Sequence, residues 1–121
     1  MRTPETYMVP VISEADGIII ISLPRRFDLD SAQSVENEIR PVLGQHPAQV
    51  LFDFSKTEYI SSAGVRVLLA SVRSIKEGGG TAALSSLCRQ VMYILEIAGF
   101  TKIFTIYDTR ENAVRQMKKK H

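Results

Sequence analysis

The sequence predicts an α/β domain with a mixed, mostly parallel sheet of about five strands and about four helices. Three observations carry that expectation. Short apolar runs of strand character recur, clearest at Ile18 to Leu23 and Gln49 to Phe54. Between the later runs lie stretches whose apolar residues return at helical spacing, as at Val65, Leu68, Leu69, Val72 and Ile75. Only the first two runs are joined by a tight turn, so one hairpin precedes a series of alternating units in the order β-β-α-β-α-β-α-β-α. Residues 1–121 read as a single domain, long enough to bury a core, with no internal repeat, low-complexity tract or linker.

Taken in order, Tyr7 to Ser13 suggests an edge strand, where Pro10 is tolerated because an edge residue need not donate to a ladder. Glu14-Ala15-Asp16-Gly17 reads as the hairpin turn, with Gly17 free to take positive φ. Ile18 to Leu23 is almost continuously apolar, the composition of a strand covered on both faces. Pro24 to Leu29 forms a loop. Asp30 then has the character of an N-cap, with Gln33 completing a capping box for a helix carrying Ala32, Val35, Ile39 and Leu43. Pro41 is expected to end or kink that helix near Arg40.

Gln49 to Phe54 is the next strand, and Asp53 inside it suits a buried structural hydrogen bond better than catalysis. Ser55-Lys56-Thr57-Glu58 is a polar connection to a helix capped by Ser61 or Ser62. Gly78-Gly79-Gly80 stops this helix. Thr81 to Ser85 is a strand, followed by a helix with Val91, Ile94, Leu95 and Ala98 inward and Gly99 as its left-handed cap. Ile103 to Tyr107 is the last strand. Asp108 and Glu111 then form a capping box for a terminal helix with Ala113, Val114 and Met117 on its apolar face.

Composition narrows the function. Hydrophobic residues make up 45% of the chain and the formal net charge is only +2. Five of the 15 Lys and Arg lie between Arg110 and Lys120, so the body is near neutral and shows no basic stripe suited to nucleic acid. The single cysteine, Cys88, excludes an internal disulfide and a Cys-rich metal site, and is expected to be semi-buried. Met1 to Pro10 lacks the apolar core of a signal peptide, and no run is long enough to span a bilayer. A soluble, cytoplasmic protein without membrane contact is expected.

Catalytic arrangements are poorly supported. His46 and His121 fall in a turn and at the C-terminus, unsuited to a rigid general base. Ser61-Ser62-Ala63-Gly64 is not a Gly-x-Ser-x-Gly nucleophile elbow, and Gly78 to Thr81 lacks the Lys-Ser/Thr ending of a phosphate loop. No cluster has metal-ligand spacing. The expectation is a non-enzyme without cofactor or metal.

One segment carries more information. Tyr59-Ile60-Ser61-Ser62-Ala63-Gly64-Val65-Arg66-Val67-Leu68 resembles the signature of STAS domains, most closely that of bacterial anti-sigma factor antagonists. In that family the segment reads roughly aromatic-aliphatic-Asp-Ser-Ser/Ala-Gly-Leu-x-Val, and the serine after the aspartate is phosphorylated. Aligned on Gly64, the acceptor falls on Ser62, with Ser61 as the alternative because it stands where the family often has Asp. Phe27-Asp28-Leu29-Asp30-Ser31-Ala32 resembles the family's Leu-Asp-x-x-Thr-Ala segment, with Arg25 where a glycine is usual. Leu95 to Phe100 resembles its Leu-x-x-x-Gly-Leu/Phe segment. Asp28 thus has two readings, a contact to a partner beside Ser62 or a carboxylate that only starts a helix.

The resemblance implies a partner-switching regulator that acts on transcription indirectly. Its partner-binding surface would include Asp28, Ser61, Ser62, Ala63, Gly64 and Arg66. The implied partners are an anti-sigma factor that is also a serine kinase of the histidine-kinase-like ATPase type, and a PP2C-type phosphatase. The alternative is a STAS module that binds constitutively, such as an accessory subunit of a lipid-transport ABC complex.

Overall fold

In the computed structural model, which describes residues 9–120, the strands and helices follow the expected alternation. They are β1 (Val11–Ala15), β2 (Ile18–Ser22), β3 (Arg26–Phe27), α1 (Leu29–Leu43), β4 (Gln49–Asp53), β5 (Tyr59–Ile60), α2 (Ser62–Glu77), β6 (Thr81–Ser85), α3 (Arg89–Ile97), β7 (Ile106–Tyr107) and α4 (Arg110–Lys120). The main sheet has the order β1-β2-β4-β6-β7. β1 and β2 are antiparallel and all later neighbours are parallel. Asp16 and Gly17 make the hairpin turn with φ of 54° and 81°, the left-handed pair that a two-residue turn requires. Tyr7 and Met8 of the expected first strand lie outside the described residues.

The continuous apolar runs are explained by two unequal cores. Ile21, Val50, Phe52 and Leu84 point to one face, where α1, α2 and α3 cover them with Val35, Ile39, Leu68, Val72, Val91 and Leu95. Ile18, Ile20, Leu51 and Ala83 point to the other face, beneath Ala113 and Met117 of α4. Alternate residues of one strand therefore serve different layers, and neither side of the sheet is free to be polar. Gln49 Nε2 donates to the Met117 carbonyl at 2.8 Å and helps hold α4 in place.

Several local expectations are corrected. The α1 cap is Asp28, not Asp30. The buried strand residue Phe27 keeps the chain extended until Asp28, whose carboxylate accepts from the N–H groups of Asp30 and Ser31. Ser31 Oγ accepts from the Asp28 N–H in return, so the box is Asp28 with Ser31, and Gln33 instead donates to Asn37. Pro41 does not end the helix, which runs to Leu43. Proline leaves the Asn37 carbonyl without its helical donor, and both residues lie on the exposed side. The last strand begins at Ile106 rather than Ile103, because turns from Phe100 carry Phe104 into the core first.

At α4 the capping oxygen belongs to Thr109, which accepts from the Asn112 N–H at 3.0 Å; Asp108 accepts from Thr109 and from the Asn112 side chain. Ala98 is exposed rather than inward, and Cys88 is exposed rather than semi-buried. Gly99 does take positive φ, and the Phe100 N–H reaches back to the Leu95 carbonyl in a Schellman closure.

Candidate functional site

The site grows from a second, two-stranded sheet that the periodicity does not disclose. β3 and β5 pair in parallel, Arg26 beside Tyr59 and Phe27 beside Ile60. The Ser61 N–H continues the ladder by donating to the Phe27 carbonyl at 3.0 Å. Each strand ends in a cap and turns at once into a helix, Asp28 into α1 and Ser61 into α2. The two helices then pack against each other. Their N-termini consequently start side by side at the carboxyl ends of parallel strands, where sites collect in α/β folds.

Gly64 makes this closeness possible. A Cβ there would collide with the Phe27 carbonyl oxygen and meet Ile60 Cγ1 at 3.0 Å. The first turn of α2 therefore lies against the β3 backbone with no room for a side chain. Gly64 is buried, so it shapes the surface from beneath and does not form part of it.

The adjacent serines have different jobs. Ser61 is half-buried with extended backbone (φ −100°, ψ 176°), and its Oγ accepts from the Gly64 N–H at 3.3 Å. Ser62 is the first helical residue and is exposed. Its hydroxyl makes no hydrogen bond among the described residues. Ala63 is half-buried, and Arg66, one turn further along the same helix, is exposed. No acidic residue stands in the first turn of α2.

Asp28 is the better-anchored neighbour. Besides capping α1 it accepts from Arg26 Nε at 3.1 Å, and its side chain is 16% exposed. Arg26 also lies over the Tyr59 ring, 4.9 Å from its centroid, tying β3 to β5 on the surface. Arg25, in the position where the family usually has glycine, pairs with Glu58 at 3.0 Å. The helix-starting role of Asp28 is thus real, and a remaining edge of the carboxylate faces solvent.

Sequence reasoning missed Leu29. It is the first residue of α1, directly follows the Asp28 cap, and is 78% exposed, more than the other large hydrophobic residues that reach the surface. An apolar residue immediately after an acidic cap was the available signal. Asp53, by contrast, behaves as expected. Its carboxylate is buried, accepts from the Ser55 N–H and Oγ, and lies 3.5 Å from Arg110 Nη1 of α4. Among the described residues no group of His, Cys, Asp and Glu could hold a metal, and no helix is long and apolar enough to cross a membrane.

The site is an exposed hydroxyl at the N-terminus of α2, seated tightly against β3 beside a five-stranded mixed sheet. The chain belongs to the STAS domain family, whose model matches residues 9–113. It is 30% identical over 107 residues to the putative anti-sigma factor antagonist BtrV of Bordetella bronchiseptica, covering 88% of this chain and 92% of BtrV. It is 26% identical over 116 residues to the anti-sigma-F factor antagonist RsfB of Mycobacterium tuberculosis, covering 94% and 92%. The crystal structure of a putative anti-sigma factor antagonist from Thermotoga maritima superposes with a TM-score of 0.83 at 22% identity, over 90% of this chain and 94% of that one. Fold and family are those of the anti-sigma factor antagonists.

Proposed function

We propose that this protein is a cytoplasmic anti-sigma factor antagonist that works by partner switching, with Ser62 as its phosphoacceptor. Unphosphorylated, it binds an anti-sigma factor that is also a serine kinase of the histidine-kinase-like ATPase type, and so frees a sigma factor. The kinase transfers phosphate to Ser62 and the complex loosens. A PP2C-type phosphatase restores the hydroxyl. The observation that carries the choice of Ser62 is the division of labour between the serines: the Ser61 oxygen is engaged in the cap, whereas Ser62 is exposed and unengaged. The names of BtrV and RsfB support the class of partner.

The physics of release is local. A phosphoserine carries about −1.5 to −2 charges, and the α2 N-terminus tolerates an anion, so the helix persists. A partner shaped for a neutral hydroxyl then has to bury a charge without a mate. Such a burial costs about 2–5 kcal/mol, which is roughly thirty- to several-thousand-fold in affinity. Asp28, Leu29, Ala63 and Arg66 would line the rest of the contact.

Incubation with candidate ATPase-type kinases and ATP, followed by phosphopeptide mapping, tests the reading. Label on Ser62 that disappears in Ser62→Ala is expected. Label confined to Ser61, or undiminished in Ser62→Ala, overturns the acceptor assignment. No label from any such kinase, with partner binding indifferent to ATP, would move the protein to the constitutive-module class.

A further inference from the structure

We propose that the notch beside the N-terminal half of β6 is a binding site for a small acylated amino acid, a molecule with an apolar tail, one amide and one carboxylate. The site lies at the far end of α2 from Ser62, about 20 Å along the helix, and does not rest on the reading of that serine.

The notch follows from the way the chain returns to the sheet. Turns after Phe100 carry Phe104 into the core, so the chain reaches the sheet edge only at Ile106. β7 consequently pairs with Leu84 and Ser85 and leaves Thr81 to Ala83 without a neighbouring strand on that side. The Thr81 N–H donates to the Ala48 carbonyl just before β4, so by strand alternation the backbones of Ala82 and Leu84 face outward. The Leu84 N–H donates to the Thr105 carbonyl at 2.9 Å. One step earlier on the same edge, the Ala82 N–H and C=O have no partner among the described residues. A donor and an acceptor side by side match an amide, which offers the reverse pair.

A cavity of about 460 Å³ lies over this edge. Small-molecule sites usually occupy about 300–1,000 Å³. Val72 and Phe104 wall the cavity on the sheet face covered by α2, and Met117 and Tyr107 wall it on the face covered by α4. Lys76 in the last turn of α2 and Lys120 at the end of α4 also line it, and among the described residues no Asp or Glu does. Neither lysine forms an ion pair among the described residues. Glu77 lines a neighbouring groove with Leu69 and Phe100. The carbonyl ends of both helices bring negative charge to the same rim, but only about half a charge each against a full charge on each ammonium. In α2 the carbonyls of Ser74, Ile75 and Lys76 already accept from Gly78, Gly80 and Gly79. Charge therefore favours a carboxylate, the apolar walls favour a tail, and the Ala82 edge favours an amide between them.

N-octanoylglycine carries these three groups and is the probe, titrated into the 15N-labelled chain and followed by NMR. Saturable shift changes should centre on Ala82, Ala83 and Thr105. Octanoylglycinamide lacks the charge, and octanoyloxyacetate has an ester oxygen in place of the amide N–H. Each should bind roughly three- to tenfold more weakly than the probe. The Lys76→Gln, Lys120→Gln protein should bind the acid and its amide equally, whereas the Lys76→Arg, Lys120→Arg protein should keep the preference for the acid. The dispersion of each variant's spectrum shows that it is folded. No saturable shifts, shifts centred on Leu69 and Phe100 or on Lys118 and Lys119, or equal affinity of the three compounds would overturn the proposal.

Discussion

α1 and α2 begin side by side, yet their N-termini are solved in opposite ways. α1 has a carboxylate cap that accepts from two backbone N–H groups, a reciprocal Ser31, a guanidinium on Asp28, and Asp30 in its first turn. α2 has a neutral hydroxyl cap with a single 3.3 Å bond, and no acidic residue in its first turn. The first end already has the negative charge that a helix dipole favours; the second lacks it. On the reading proposed above, the contrast gives a reason for a phosphate to go to one of two adjacent ends and not the other.

The strongest way to break the comparison is to separate the two ends physically. Gly64→Ala drives a methyl group into the Phe27 carbonyl, so the first turn of α2 or the β3 backbone has to move. A loss of about 3 kcal/mol in urea unfolding is expected, at the upper end for overpacking. A loss below about 0.5 kcal/mol would mean that the ledge shared by the caps is soft.

Cap deletion comes next in size. Asp28→Ala should cost about 1–2 kcal/mol, because it removes two backbone bonds and strands Arg26. Ser61→Ala should cost about 0.5–1 kcal/mol, since only one bond to Gly64 is lost. Equal losses in paired thermal or urea melts would remove the asymmetry. Asp28→Ala consequently tests partner contact only after its stability loss has been measured and allowed for.

The smallest effect sharpens the comparison most. Ser62→Asp supplies to α2 the charge that α1 already has, and should raise stability by about 0.3–1 kcal/mol at low ionic strength. The gain should shrink in high salt. A destabilised Ser62→Asp protein at low salt would show that this helix end does not accept an anion.

The main sheet was legible because each of its central strands carries an unbroken apolar run and each helix shows one apolar face. Ile18 to Leu23 announces a strand covered on both sides, and the two core clusters account for its alternate residues. The site was legible only in part. The expectation of Ser62 as acceptor came from the family segment aligned on Gly64, and the structure supplies a physical reason for that glycine in the Phe27 carbonyl. β3 and β5 were invisible because two residues carry no periodicity. Asp28 and Asp30 could not be separated from composition, since the choice depends on where the buried Phe27 ends its strand. Phe104 misled in the opposite direction: an apolar residue near a strand looked like part of it, but it enters the core from a turn. Leu29 was passed over because its place after an acidic cap becomes a signal only once the cap is known to be Asp28 and not Asp30.

The hydrogen bond from Ser61 to Phe27 and the contact at Gly64 fix both caps to one short length of backbone. A regulator whose signal must first travel through a flexing loop responds no faster than that loop rearranges. Here the modified oxygen already stands at the surface, so on the reading given above nothing has to refold between phosphoryl transfer and departure of the partner. The delay of such a switch is set by chemistry and dissociation alone, and its memory lasts as long as the phosphoester bond.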